Sequence, residues 1–255
     1  NNGALKSYLV EITAKTLAAT DPESGKPMVD VIMDRAGQKG TGRWTLIEAL
    51  KLGQSASTIE AAVGARSWSA AKDLRILGEE RLSAATSSET ASISYSALES
   101  ALLAARVIAY AQGFSLLAAA SEEFDWSLDL ARTAEIWRAG CIIRSALLDD
   151  ISTAFRGDLP GGSLILAPAF AEMLANHVGA LRSVVAQSAL SGQPIPALSS
   201  ALAYYDTMRK EAEVLRKIAD HVAVKVPLTE DGLRVCKELS DDGTMVNVTL
   251  CFSAN

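Results

Sequence analysis

Apolar residues recur every three or four positions along most of this chain, which is the period of an amphipathic α-helix. Turn-rich segments interrupt that period, notably residues 21–27 and the polar loop at 86–90. The pattern predicts helices over residues 4–18, 45–52, 58–85 with an optional break near Gly64, 95–120, 128–155, 167–190 and 197–205. Within the fourth of these, small residues at helical spacing would let a second helix approach closely, in a stripe formed by Leu98, Leu102, Ala105, Ala109 and Gly113.

The pattern changes after about residue 209. A charged amphipathic helix is predicted over residues 210–219, followed by a β-branched run at 222–227 that ends in proline. A second helix is predicted at 233–240 and a second β-branched run at 245–252. Strand, helix and strand in that order predict one βαβ unit. The predicted domains are therefore residues 1–209, mainly α, and residues 210–255.

Composition supports a helical, globular protein. Of the 255 residues, 49% are hydrophobic but only 5% are aromatic, so the apolar content is mostly Ala, Leu, Ile and Val. A formal net charge of −6 argues against non-specific binding to nucleic acid. We expect no membrane span, no signal peptide and a cytoplasmic location. The cysteines are too few and too scattered for a disulfide framework or a metal site, and we expect buried free thiols at Cys141, Cys236 and Cys251.

The glycine-rich segment at residues 36–44 is the most informative loop. Three glycines free its backbone for close approach to a ligand, and Lys39 and Arg43 supply positive charge. It leads into a helix predicted to begin near Thr45, where N–H groups favour anions. The loop matches neither of the common nucleotide-binding glycine motifs, so a structural turn with solvated basic residues is the alternative. Arg66, after the optional helix break, is a second cation or simply a surface arginine.

Several motifs, in fixed order, resemble the C-terminal domain of the decarboxylating 6-phosphogluconate dehydrogenase family. The resemblance covers residues 1–209 and includes LVEIT at 9–13, KPMVDVI at 26–32, the glycine loop, YAQGF at 110–114, IWRAGCIIR at 136–144 and PALSSALAYYD at 196–206. It implies an all-helical domain that forms the dimer and one wall of the substrate cleft.

The resemblance also implies site residues and a reaction. The family's loop lysine and later arginine, which bind the sugar phosphate, match Lys39 and Arg66, with Thr41 as a weaker candidate. The implied substrate is 6-phosphogluconate, which NADP oxidises with loss of carbon dioxide to give ribulose 5-phosphate in the pentose phosphate pathway. No metal is implied. The implied assembly is a homodimer.

Departures from the family pattern limit what these 255 residues are expected to do. The chain opens on Asn1 without an initiator Met and stops after an apolar run, and both ends look cut. The NADP-binding Rossmann domain, the segment with the family's general base and acid, and the tail that reaches the partner subunit have no match. Neither His177 nor His221 fits a family motif. We therefore expect no dehydrogenase activity from these residues alone.

The last part of the chain has a resemblance of its own. Residues 215–229, and 231–233 followed by 246–250, look like the small transaldolase and fructose-6-phosphate aldolase family. This implies a βαβ fragment of a TIM-type barrel in which Lys225 forms a Schiff base, with Thr249 nearby. Desolvation in an apolar strand would lower the pKa of a lysine and free its amine for attack. The alternative for Lys225 is a strand-end lysine that reaches water, and two strands cannot enclose a site.

Three functional hypotheses result. The first is the substrate-binding and dimerisation domain of a 6-phosphogluconate dehydrogenase. The second is a non-catalytic helical scaffold from a chimeric or truncated gene, and the third is residual aldolase chemistry at Lys225.

Overall fold

Helices form most of the chain that is described before residue 210. The structure, a computed structural model, describes residues 3–82, 92–209, 224–227, 237, 240–241 and 246–249. The chain packs as two units, residues 1–202 and 203–255. The described helices are α1 (Tyr8–Ala18), α2 (Met28–Val31), α3 (Thr41–Lys51), α4 (Ser57–Ala70), α5 (Lys72–Leu82), α6 (Tyr95–Glu123), α7 (Leu130–Trp137), α8 (Leu147–Arg156), α9 (Pro168–Leu190) and α10 (Pro196–Arg209). Two 3₁₀ turns, Pro160–Gly162 and Leu164–Leu166, join α8 to α9.

The core of the first unit lies along α6 and α9, which pack against each other. The predicted stripe on α6 is only partly correct, because Leu98 and Leu102 are 41% and 37% exposed. The apolar residues of α6 lie on most sides of the helix, so periodicity alone does not select its buried face. The side chains that are buried on these helices include Ala101, Ala104, Val107, Ile108, Ala111 and Phe114 of α6 and Phe170, Leu174, Leu181 and Val184 of α9.

α6 also corrects the expectation that no apolar stretch is long enough to span a membrane. Among the described residues it is the one helix with the required length and composition, over 29 residues. In the structure, 56% of its most apolar stretch is buried within the fold. Burial of this kind is typical of the central helix of a folded domain.

The helix predicted over residues 128–155 is two helices. α7 ends at Trp137 and α8 begins at Leu147, and Gly140 between them has a left-handed backbone with φ 73°. The connecting segment bonds instead to the start of α1, where the backbone N–H of Ala146 donates to the carbonyl oxygen of Lys6 at 3.0 Å. Contacts with a distant segment therefore override the local helical pattern.

A network of charged side chains around the largely buried Glu135 joins α7 to α8. The Glu135 carboxylate, whose side chain is 14% exposed, contacts Arg156 at 2.5 Å and Arg132 at 2.9 Å. The Ser152 hydroxyl also donates to it, at 3.2 Å. The hydrogen bond from Arg156, followed by that from Arg132, lowers the pKa of Glu135 to about 2.

Replacing Glu135 by Gln is expected to lower Tm at pH 7. A carboxyl whose pKa is depressed by folding stabilises the protein above its unfolded pKa near 4.5, and that contribution is lost as pH falls towards about 2. The Tm difference between the parent and Glu135→Gln should therefore shrink across this window in thermal melts. Glu172→Gln, on an exposed part of α9, is the control. A Tm difference independent of pH would contradict the charge-network explanation.

In the second unit, two strands pair in parallel. They are β1 (Val224–Pro227) and β2 (Val246–Thr249), with Val224 opposite Val246. Both lie inside the predicted runs, and a parallel pair is what a βαβ unit requires. Of the intervening helix predicted over residues 233–240, only residues 237 and 240 are described. Membership of a TIM-type barrel thus stays a prediction, and His221, Cys236 and Cys251 lie outside the described residues.

Candidate functional site

The glycine loop, defined here as residues 36–40, lies against α4. The backbone N–H of Ala36 donates to the Ser69 hydroxyl at 3.1 Å. The amide nitrogen of Gln38 donates to the Ser67 hydroxyl at 2.6 Å. One guanidinium nitrogen of Arg66 donates to the carbonyl oxygen of Gly37. Three successive residues of the loop are thus bonded to the C-terminal half of α4.

The approach to the loop is tied to α5. Arg75 donates to the Asp34 carboxylate at 3.1 Å and to its carbonyl oxygen, also at 3.1 Å. The same guanidinium donates to the carbonyl oxygen of Ser69 at 3.3 Å. These bonds hold the chain entering the loop beside the end of α4.

The loop ends where α3 begins, at Thr41 and not near Thr45 as predicted. Gly40 makes this early start possible, because its φ of 104° is a backbone conformation that residues with a side chain rarely adopt. The carbonyl oxygen of Gly40 accepts the first helical bond, from the N–H of Trp44 at 2.9 Å. Among the residues that the structure describes, no side chain caps this helix. The N–H groups of its first turn therefore remain available to an anion.

Close packing joins α3 to α4 beside the loop. A Cβ atom built on Gly42 would lie 2.8 Å from Cγ2 of Val63, which is too short for a stable contact. Only glycine fits between the two helices at this point without a shift. The spacing of the helices therefore depends on residue 42.

The structure brings the sequence-predicted phosphate-binding residues to one region. Lys39 and Thr41 are exposed in the loop and at the start of α3, and the loop contacts Arg66 directly. Among the described residues, none forms a hydrogen bond or ion pair with the Lys39 side chain. Arg66 does not follow a helix break, since Gly64 lies inside α4 and the break comes at Ala71.

A buried glutamine of α6 supports the helix that carries Arg66. The side-chain oxygen of Gln112 accepts the N–H of Thr58 at 3.0 Å, and its nitrogen donates to the Ser57 hydroxyl at 2.9 Å. The N-cap residue of α4, Ala56, offers no side-chain cap, so Gln112 supplies one from another helix. Sequence reasoning quoted Gln112 only within a family motif. It missed this role, along with the roles of Gln38, Ser67 and Ser69.

Lys225 lies on β1, in the second unit. In the strand register it is opposite Asn247, and Thr249 at the end of β2 is opposite Pro227. The parallel pairing places Lys225 and Thr249 on neighbouring strands, as predicted, but only their backbones are described. A role for Lys225 in Schiff-base chemistry stays a prediction.

Fold and site together define an all-helical domain in which a basic glycine loop is bonded to the helix that carries Arg66. Residues 1–217 match the model of the family described as 6-phosphogluconate dehydrogenase, C-terminal domain. The chain therefore belongs to this family. The match ends at residue 217 and so overlaps the start of the aldolase-like fragment predicted over residues 210–255. It does not bear on the rest of that fragment.

Full-length relatives agree with the family. The chain is 45% identical over 218 residues to the decarboxylating 6-phosphogluconate dehydrogenase of Treponema pallidum, covering 81% of this chain and 44% of that protein. It is 43% identical over 212 residues to the NADP(+)-dependent, decarboxylating enzyme of Bacillus subtilis, covering 82% and 45%. The chain spans about half the length of these relatives.

A solved structure agrees as well. It is the Plasmodium falciparum 6-phosphogluconate dehydrogenase, described in its apo form and in complexes with NADP+ and with 6-phosphogluconate. The similarity has a TM-score of 0.79 at 37% sequence identity, over 86% of this chain and 48% of that one. Both the helical fold and the sequence thus place this chain in the same family.

Proposed function

We propose that the helical part of this chain binds 6-phosphogluconate as the substrate-binding domain of an NADP-dependent, decarboxylating 6-phosphogluconate dehydrogenase. The observation that carries the proposal is the bonding of the glycine loop to α4, which joins Lys39 and Thr41 to Arg66. Without that contact, three exposed polar residues would have no reason to act together.

The chemistry of the three residues suits a phosphate monoester. Lys39 supplies a compact charge, and the planar guanidinium of Arg66 presents several donors, of which Gly37 occupies one. The Thr41 hydroxyl and the uncapped N–H groups of α3 add neutral donors that an anion could accept from. Charge-assisted bonds of this kind are about twice as strong as neutral ones.

NADP is not assigned to residues of this chain. A dinucleotide pyrophosphate is held where a strand turns through glycines into a helix. The glycine loop here follows α2, a helical turn, and not a strand. This loop therefore does not fit the pyrophosphate of the cofactor. In our proposal, the hydride acceptor and the acid–base groups belong to the half of the relatives that this chain does not span.

A homodimer is part of the same proposal. Large apolar side chains are exposed along the first helices, and surfaces of that kind are typical of assembly. In the described part of the chain they include Trp44, Ile47 and Leu50 of α3, Trp68 of α4, and Leu74 and Leu77 of α5. A non-catalytic scaffold would use the same surface, so ligand binding separates the two hypotheses.

Titration calorimetry of the chain with 6-phosphogluconate and with gluconate tests the proposal. We expect a Kd on the order of 1 mM for the phosphorylated ligand and weaker binding of gluconate, because only the former carries the dianion. Lys39→Ala and Arg66→Ala should each weaken binding of 6-phosphogluconate by about tenfold or more. Lys51→Ala, at the other end of α3, is the control and should bind like the parent chain.

Equal affinity for the two ligands would contradict the proposal. So would an unchanged Kd in both cation variants. Either result would leave the helical scaffold as the better hypothesis.

A further inference from the structure

We propose that Gln38 is a positioning residue for phosphate binding, acting through a latch that consists of its side-chain amide, the Ser67 hydroxyl and the Val63 carbonyl oxygen. The latch fastens the glycine loop to α4 and so fixes Lys39 and Thr41 relative to Arg66. This inference rests on the proposed function and adds to it a residue that need not touch the ligand.

The geometry of the latch is specific. The Gln38 nitrogen donates to the Ser67 hydroxyl at 2.6 Å and to the Val63 carbonyl oxygen at 3.4 Å. A carbonyl oxygen can only accept, so the NH₂ end of the amide faces α4. The Ser67 hydroxyl in turn donates to the same carbonyl, at 3.3 Å. One side chain of the loop therefore bonds to two successive turns of α4.

The latch lies next to both cations along the chain. Gln38 immediately precedes Lys39, and Ser67 immediately follows Arg66. A bond between residues 38 and 67 therefore restricts the separation of the two backbone positions that carry the charges. No comparable restriction acts on Lys39 from its own side chain, which is exposed and unpaired among the described residues.

The other bonds to the loop cannot replace it. The bond from Arg66 to Gly37 uses a guanidinium that the ligand would also need. The bond from Ala36 to Ser69 lies at the start of the loop, three residues before Lys39. Within the described chain, Gln38 is the one loop residue whose own side chain bonds to α4, and neither of its partners is a proposed ligand-binding group.

A fixed loop binds better because ordering has a cost. Restricting one backbone residue costs about 1–2 kcal/mol of conformational entropy. If the loop is already held before the ligand arrives, this entropy cost does not reduce the free energy of binding. Gln38 and Ser67 are both exposed, so the fold itself depends little on the bond between them.

Calorimetric titration with 6-phosphogluconate tests the latch in four forms of the chain: the parent, Gln38→Met, Ser67→Ala and the double variant. Met keeps the length of the Gln side chain but cannot donate. We expect each single variant to raise Kd by about 3- to 10-fold. The double variant should raise it by less than the product of the two single effects, since both substitutions remove the bond between Gln38 and Ser67. Tm without ligand should stay at the parent value.

A second readout separates positioning from direct contact. Lys39→Ala removes a charge and should weaken the dependence of Kd on ionic strength, whereas Gln38→Met keeps both cations and should retain it. Lys39→Ala is also the reference for the proposed function. If it weakens binding while Gln38→Met binds like the parent, the latch is wrong and the proposed function stands.

Additive effects of Gln38→Met and Ser67→Ala would also overturn the latch, because independent contacts add. If Gln38→Met lowers the Tm of the ligand-free chain enough to explain the weaker binding, Gln38 stabilises the fold and does not position the loop for the ligand. If the parent chain does not prefer 6-phosphogluconate to gluconate, the proposed function fails, and the latch fails with it.

Discussion

Phe114→Ala is expected to lower the free energy of unfolding by about 3–5 kcal/mol, the usual cost of removing a buried phenyl ring. Phe114 of α6 is 2% exposed. Its ring centroid lies 4.9 Å from that of Phe155 on α8 and 5.3 Å from that of Trp137 on α7. The substitution therefore opens a cavity where three helices meet. Since domains of this kind are stable by about 5–15 kcal/mol, it removes a large share of the total.

Urea unfolding followed by far-UV circular dichroism measures the loss. Phe124→Ala is the matched control, because Phe124 is the C-cap residue of α6 and also pairs with a tryptophan. The ring centroids of Phe124 and Trp126 lie 5.1 Å apart. Phe124 is 48% exposed, so we expect a loss of about 1 kcal/mol or less. Similar losses from the two substitutions would show that the core does not centre on Phe114.

Gly42→Ala is expected to destabilise the protein by about 1–3 kcal/mol through overpacking. The new methyl group would lie 2.8 Å from Cγ2 of Val63. A β-branched side chain has little freedom to move aside, so α3 must shift away from α4. Because Thr41 begins α3, the same shift should weaken binding of 6-phosphogluconate if the proposed site is correct.

Gly64→Ala is a control that should change the stability in the opposite direction from Gly42→Ala. Gly64 lies inside α4, and a Cβ atom there would have nothing within 4 Å. Alanine should therefore stabilise the helix by about 0.5–1 kcal/mol.

Combining Gly42→Ala with Val63→Ala removes the clash, and the double variant should lose less stability than the sum of the two single variants. Additive losses would show that the contact with Val63 is not the cause.

Much of the helical architecture was accessible from periodicity. The ranges predicted for α6, α9 and α10 agree with the structure to within a few residues, because long segments with a clear apolar period bury that face in almost any packing. The ends of the helices were harder to predict from periodicity. α1 begins at Tyr8 because the Ser7 hydroxyl caps it at Val10, a local contact that the predicted start at residue 4 ignored.

The candidate site was accessible in a different way. Glycines and basic residues at 36–44 indicated an anion loop or a turn, and family resemblance selected Lys39, Thr41 and Arg66. Neither argument could show that the loop lies on α4. Gln38 and Ser67 are 29 positions apart, and no local pattern encodes a hydrogen bond across that separation.

By itself, the sequence determined the helical class, the family and the residue types in the loop, because each of these depends on local composition, spacing or motif order. The tertiary structure alone decided which face of α6 is buried, where α3 starts and which side chains hold the loop. The physical reason is the same in each case. Burial and hydrogen bonding depend on the partner that a residue meets after folding, and partners such as Gln112 and Thr58 are distant along the chain.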